Sequence, residues 1–224
     1  MLYLYQSVAL EDLASSEFWD GVKKLGLSAD HIPSLESLNK QFERLTGWKL
    51  ISQEQCSSLD DFYAQVAQKR FPIIRKLRPH DQIFWAKDAD FWHDVFGHVG
   101  LLVNGEISEM YLDLAQMYVE AESRLKPFID RVFWFSAEFG FIRQKGEDRI
   151  YGAGLLPSPT AIYFIRQRQY EKLPFSIPLV LDTSYDPDAI QTKFFVIDSY
   201  RQVAKELSQW LEAQGVTTHL SQRH

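Results

Sequence analysis

Residues 88–102 read DADFWHDVFGHVGLL, and no other stretch limits so tightly what the chain can become. Phe91, Trp92, Val95 and Phe96 demand burial, yet His93 and His98 stand among them, two of only six histidines in 224 residues. A charged imidazole is costly in such surroundings, so each ring needs a hydrogen-bond partner or a metal. Five residues at about 100° each leave two side chains about 140° apart on a regular helix. Both can face one ion only if His93 lies at or before the helix start. Gly97 would let another segment pack closely beside the second histidine. For a lone pair of this kind, two satisfied core histidines are the commoner outcome.

A third group changes that balance. The run FWFSAEFGF (133–141) carries Glu138 among almost wholly apolar neighbours. A carboxylate there needs an ionic partner or a metal to offset its desolvation. By contrast, Glu109, Asp113, Glu120 and Glu122 fall on an amphipathic stretch with enough polar surface to be solvated. Two histidines and one carboxylate on one face of a metal are the ligand set of non-haem Fe(II) oxygenases, and catalytic zinc uses the same donors. The His-Glu-x-x-His helix of zinc proteases is absent, because Asp94 follows the first histidine and the spacing is longer.

The remainder of the chain reads as one domain over residues 1–224, with 46% hydrophobic and 24% charged residues. A net charge of -6 argues against a nucleic-acid partner, and the one basic cluster, KRFPIIRKLR (69–78), reads mostly as a solvated face. The single cysteine, Cys56, cannot form an internal disulfide, which favours a reducing compartment. MLYLYQSVALEDLASS at the N-terminus lacks the basic region of a signal peptide, and no apolar run reaches the ~18 residues of a membrane span. These features predict a cytoplasmic protein without membrane or nucleic-acid partners. Its oligomeric state is not legible, with a monomer or weak dimer expected.

Helices are predicted where apolar residues recur at helical spacing. One carries Leu35, Leu38, Phe42 and Leu45 on a single stripe, with Pro33 near its start and Gly47 just past its end. A second opens at Ser58 and Asp61 in capping-box spacing and runs until Pro72. Others cover 108–125, 128–142 and the closing YRQVAKELSQWLEAQG, where Val203, Leu207, Trp210 and Leu211 face inward. The best strand candidates are TAIYFI (160–165) and KFFVID (193–198). The fold class is therefore α+β, mostly helical with a few short strands.

HDVFGHV followed by LL, then WF-x-x-EFG forty residues on, then YGAGLL at 151–156, form an ordered set. In that order and spacing they resemble the pterin-dependent aromatic amino acid hydroxylases, most closely the bacterial phenylalanine 4-hydroxylases. The likeness spans roughly residues 17–205, including TSYDPDAIQTKFFVIDS (183–199), and looks like the family's catalytic domain alone. It implies that His93, His98 and Glu138 are the catalytic ligands of Fe(II). It also implies that Arg78 holds the carboxylate of an amino-acid substrate, a task suited to a planar guanidinium fork. Trp134 and Phe139 match the aromatic wall beside the substrate, and Phe62 matches the ring on which the pterin stacks. Asp90 matches an acid just before the first ligand, on the substrate side of the site. Fe(II) and tetrahydropterin together would reduce dioxygen, the co-substrate, while the protein supplies orientation and exclusion of water.

The sequence departs from the family at several places. Glu-Pro-Asp before the first histidine reads Asp88-Ala89-Asp90, the proline after GHV is Gly100, and the two serines after YGAGLL are Pro157 and Ser158. Phe133 stands where a tyrosine precedes the tryptophan, and the pterin loop is ISQEQCSS (51–58), without Pro or Gly. Alternatives are therefore an iron oxygenase with another reductant or substrate, a zinc hydrolase with Asp94 or a nearby acid as base, and a non-catalytic metal-binding relative.

Overall fold

Serine hydroxyls open three of the early helices. Ser15, Ser34 and Ser58 each accept the backbone N–H three residues on, which satisfies a donor that the first helical turn leaves free. In this computed structural model the described residues are 2–30, 33–84, 86, 88–187, 189 and 191–221. Positions 188 and 190 of the 183–199 likeness lie outside them. Helix α1 (Leu2–Leu10) leads to α2 (Ser16–Lys24), α3 (Leu35–Thr46), strand β1 (Lys49–Gln53), α4 (Leu59–Val66) and strand β2 (Arg70–Ile74). Helix α3 ends as predicted, with Gly47 in the left-handed conformation at φ 73°. Its stripe holds for Leu38 and Phe42, whereas Leu45 is exposed.

Helix α4 corrects the prediction of a helix reaching Pro72. It stops at Val66, and Lys69 at φ 57° turns the chain into β2. Strands β1 and β2 pair in parallel with Pro72 opposite Ile51. A two-stranded sheet has only edge strands, where a missing N–H is tolerated.

After a π-helix described below come α5 (Gly100–Leu102), α6 (Gly105–Glu120) and α7 (Lys126–Phe133). Helix α6 crosses the core, burying Ile107, Met110, Tyr111, Leu114, Met117 and Tyr118 at helical spacing. Asp113, expected in solvent, is buried there and lies 3.0 Å from His219 Nε2. The predicted helix 128–142 is interrupted: α7 passes into a second π-helix and then strand β3 (Phe141–Gln144), which forms a hairpin with β4 (Glu147–Ile150).

TAIYFI, predicted as a strand, belongs to helix α8 (Pro159–Arg166). Ser158 caps it, Pro159 begins it, and Ala161, Ile162 and Ile165 form its buried face. The cap and N-terminal proline outweigh the β-branched composition. Strand β5 (Glu171–Pro174), helix α9 (Ile177–Asp182), strand β6 (Lys193–Ile197, as predicted) and helix α10 (Tyr200–Ala213) complete the chain. The four-stranded sheet has the order β4-β3-β6-β5, with β6 parallel to both of its neighbours. Val203, Leu207 and Leu211 of α10 are buried and Trp210 packs at the rim. No helix among the described residues is long and apolar enough to cross a membrane.

Candidate metal centre

The five-residue spacing of the histidines is solved by a wider helix. His93–Val99 is π-helical, and the N–H of Gly100 reaches back five residues to the carbonyl of Val95. In a helix closed by such bonds, residues five apart stand one above the other, and these segments cluster at functional sites. His93 therefore does not precede the helix. The helical backbone begins at Phe91, and Asp90 caps it by accepting the N–H of His93 at 3.0 Å. Proline at position 100 would lack the N–H that closes this turn. Glu138 ends the second π-helix, Trp134–Glu138, which closes with the N–H of Phe139 on the carbonyl of Trp134.

The two segments bring the predicted ligands together. His93 Nε2 lies 3.0 Å from His98 Nε2, and Glu138 lies 3.2 Å from His98 Nε2 and 3.8 Å from His93 Nε2. All three ligand atoms fall within 4.8 Å of one another. Two imidazole nitrogens and a carboxylate gathered on one side, with a cavity before them, fit a metal that keeps open positions. Burial, reinforced by His98, pushes the pKa of His93 down to about 4, so its ring is neutral. Burial opposes charge on His98 as well, but the adjacent Glu138 outweighs it and holds that pKa above the usual value. Burial likewise opposes charge on Glu138, and His98 outweighs it, keeping the carboxyl below its usual range.

Two supporting groups escaped the sequence reading of the site. Tyr111 places its hydroxyl 2.9 Å from His98 Nδ1, fixing the ring so that Nε2 faces the other ligands. It lies on α6, thirteen residues further along, where nothing but the fold brings it into reach. Asp94, considered only as a hydrolytic base, accepts the N–H of Ile74 at 2.6 Å and ties the π-helix to β2. Burial pushes its pKa up to about 7.

The cavity beside the triad has a volume of about 600 Å³, within the range of small-molecule sites. Phe62, Phe71, Phe133, Trp134, Phe139 and Tyr185 supply aromatic wall. Trp134 stacks on Tyr185 with ring centroids 4.9 Å apart and leans on Phe139 at 4.7 Å. Phe62 meets Phe133 edge-on at 5.6 Å and leaves part of its ring toward the cavity. Arg78, which the resemblance singled out from a cluster that reads as solvated, has its side chain buried at the cavity edge. Its Nε and one Nη bond to Asp90 at 3.1 and 2.7 Å, and its backbone N–H bonds to the same carboxylate at 2.7 Å. Asp90 thus joins Arg78 to the start of the ligand helix.

The loop 151–156 closes the back of the centre. A Cβ on Gly97 would stand 2.5 Å from the carbonyl oxygen of Ala153, which confirms the close approach expected at this glycine. Ala153 and Gly154 in turn donate to the carbonyls of Ala137 and Glu138, both at 2.8 Å. Gly97→Ala is accordingly expected to lower unfolding stability by about 1–3 kcal/mol, as overpacking does, and to reduce metal binding. Urea unfolding with metal analysis checks this, and an unchanged midpoint would show that the loop yields freely.

Comparison with known proteins gives the same direction. The family model described as biopterin-dependent aromatic amino acid hydroxylase matches residues 2–220, more than the 17–205 expected. The phenylalanine-4-hydroxylase of Chromobacterium violaceum is 33% identical over 208 residues, covering 90% of this chain and 69% of that protein. The phenylalanine 3-hydroxylase of Streptomyces coeruleorubidus is 28% identical, covering 85% and 68% respectively. A crystal structure of the Chromobacterium violaceum enzyme with bound iron(III) and oxidised 7,8-dihydrobiopterin aligns with a TM-score of 0.87 at 31% identity, covering 97% of this chain and 81% of that one.

Proposed function

The chain belongs to the biopterin-dependent aromatic amino acid hydroxylases, and on that footing we propose how its own residues carry out the family's reaction. It is an iron- and pterin-dependent monooxygenase that hydroxylates an aromatic amino acid, with residues 1–224 read as one catalytic domain. Membership sets aside the zinc-hydrolase alternative. The observation that carries the residue-level reading is the convergence of His93, His98 and Glu138 at the mouth of an aromatic cavity.

When bound, Fe(II) and tetrahydropterin supply the electrons and the site at which dioxygen is activated. His93 offers a neutral Nε2, whereas His98 would release its Nε2 proton on binding the metal, with its Nδ1 held by the Tyr111 hydroxyl. Arg78 is the anchor for the substrate carboxylate. Asp90 occupies Nε and one Nη, and the carbonyl of Ile83 accepts from the other Nη at 3.5 Å, so the guanidinium is held at the cavity edge, where its remaining N–H groups meet the substrate. Asp90 thereby acts on the substrate through Arg78. Trp134 and Phe139 form the wall that holds the aromatic ring of the substrate, and Phe62 is the face on which the pterin stacks. The apolar lining excludes water from the space where oxygen reacts.

Arg78→Lys keeps the charge but loses both the fork to Asp90 and the fork to the substrate. Losing one charged hydrogen bond costs about 1.5–3 kcal/mol, so the apparent KM for the amino acid should rise roughly tenfold or more. An unchanged KM in a folded variant would place the carboxylate elsewhere. The reading as a whole is tested by oxygen uptake of Fe(II)-loaded protein with phenylalanine, tyrosine and tryptophan. Uptake is expected to need both the amino acid and reduced pterin. Equal uptake with an unrelated reductant would favour a different iron oxygenase on this scaffold.

A further inference from the structure

The segment Leu-Pro-Ser-Pro at 156–159 forms one rim of the cavity, which Gly154, Leu155, Pro157 and Ser158 line. It joins the loop behind the metal centre to helix α8. Gly154 stands against the aromatic wall, since a Cβ there would lie 3.0 Å from Phe139 Cζ. A shift of this rim would therefore change the space beside Phe139.

Proline leaves the rim short of backbone donors. The N–H that would close a turn onto the carbonyl of Leu156 belongs to position 159, and Pro159 has none. The next N–H, of Thr160, goes to the carbonyl of Phe84 at 3.3 Å. A buried carbonyl without a partner is costly, and here distant side chains supply the donors. Gln6 of α1 is fully buried, and its Nε2 donates to the carbonyl of Leu156 at 2.6 Å. Trp92 Nε1 donates to the carbonyl of Pro157 at 3.0 Å. Trp92 stacks on Phe96 at 4.1 Å and directly precedes His93, so the rim is tied both to the ligand helix and to α1.

Gln6 is an expensive choice for packing alone. Helix α1 carries no charged residue, and among the described residues the Oε1 of Gln6 has no partner. An apolar side chain of the same size would fill the position without leaving a buried acceptor unpaired. What it would lack is the donor for Leu156.

Resting on the function proposed above, we propose that Gln6 is a positioning residue for hydroxylation. By holding Leu156 it fixes the Pro157–Ser158 rim, which confines the substrate ring against the Trp134–Phe139 wall. With the rim loosened, dioxygen that takes two electrons and two protons from the reduced pterin without reaching the ring leaves as hydrogen peroxide.

Gln6→Met keeps the size of the side chain and removes the donor. In the metal-free variant, amide hydrogen exchange should be at least about threefold faster in peptides covering 154–162 and unchanged in α6. With Fe(II) and tetrahydropterin bound in full, hydroxylated amino acid per pterin oxidised should fall at least about threefold, hydrogen peroxide making up the difference. The KM for the amino acid should rise, while the rate of pterin oxidation at saturation stays within about twofold. Tyr3→Phe is the control. It removes another hydrogen bond of the same helix, to the carbonyl of Leu27 at 2.9 Å, and should leave coupling unaltered. If Gln6→Met does not fold, Trp92→Phe keeps a ring on Phe96, loses the bond to Pro157 and should show the same split. Unaltered coupling, an equal loss in Tyr3→Phe, or bound iron falling in step with product overturns the inference and leaves the hydroxylase reading intact. If the unaltered protein forms no hydroxylated product, the functional reading fails and this inference falls with it.

Discussion

His98→Ala is expected to abolish stoichiometric iron binding and hydroxylation together while leaving the helical content nearly unchanged. The ring is 3% exposed, its Nε2 lies 3.2 Å from Glu138, and its Nδ1 is held by Tyr111. Removal of an outer partner of a metal ligand typically costs 10–100-fold in affinity or activity, and removal of the ligand itself should exceed about 100-fold. Tyr111→Phe provides the graded comparison, with a loss in the range of roughly 10–100-fold. Because the imidazole sits within a helix whose backbone bonds are independent of it, far-ultraviolet circular dichroism should barely move. Metal analysis after anaerobic loading decides the point. Full iron occupancy in the alanine variant would remove His98 from the ligand set.

Asp90→Ala should produce the largest loss of stability among single changes at this site. The Arg78 and Asp90 side chains are 6% and 7% exposed, and the carboxylate holds four donors: Nε, Nη and backbone N–H of Arg78, and the N–H of His93. Breaking a buried ion pair from one side costs about 3–5 kcal/mol, because the other charge stays buried without its partner. Loss of the helix cap adds ~1 kcal/mol. For a chain of this size each kcal/mol lowers the melting temperature by about 2–4 °C, so a fall of roughly 10 °C or more is expected. Asp90→Asn, which retains an acceptor for the cap, should fall less. A melting temperature within about 2 °C of the unaltered protein would show that solvent reaches and compensates Arg78.

These two sites also mark how far the sequence can be read. The clustering of His93, His98 and Glu138 was legible because each is a polar group in an apolar run, a costly arrangement that needs a cause. The cap at Ser58 and the stop at Gly47 were legible for an equally local reason. The π-helices were not, since nothing in HDVFGHV or WFSAE distinguishes five-residue hydrogen bonding from four. Their consequence could be seen, but its mechanism was misread as a frayed helix start.

Pairings across the fold were hidden too. Tyr111 reaches His98 only because α6 crosses behind the π-helix, and Asp113 meets His219 across 106 residues. TAIYFI misled because its β-branched residues outweighed a serine cap and a proline in the reading, while the folded chain weighs them the other way. The helix running to Pro72 was overextended because proline was taken as the stop. The left-handed turn at Lys69, which no residue type there announces, ends it earlier. Arg78 sits in a basic cluster that looks solvated, and only the return of the chain at Asp90 buries it.

The account depends most directly on oxygen transfer. Fe(II)-loaded protein, tetrahydropterin and phenylalanine are incubated under heavy-isotope dioxygen, and the amino-acid product is analysed by mass spectrometry with assignment of the ring position. One heavy oxygen atom is expected in the aromatic ring, formed in step with pterin oxidation and absent from the His98→Ala variant. Iron and pterin bound in full, with no labelled product from phenylalanine, tyrosine or tryptophan, would contradict it.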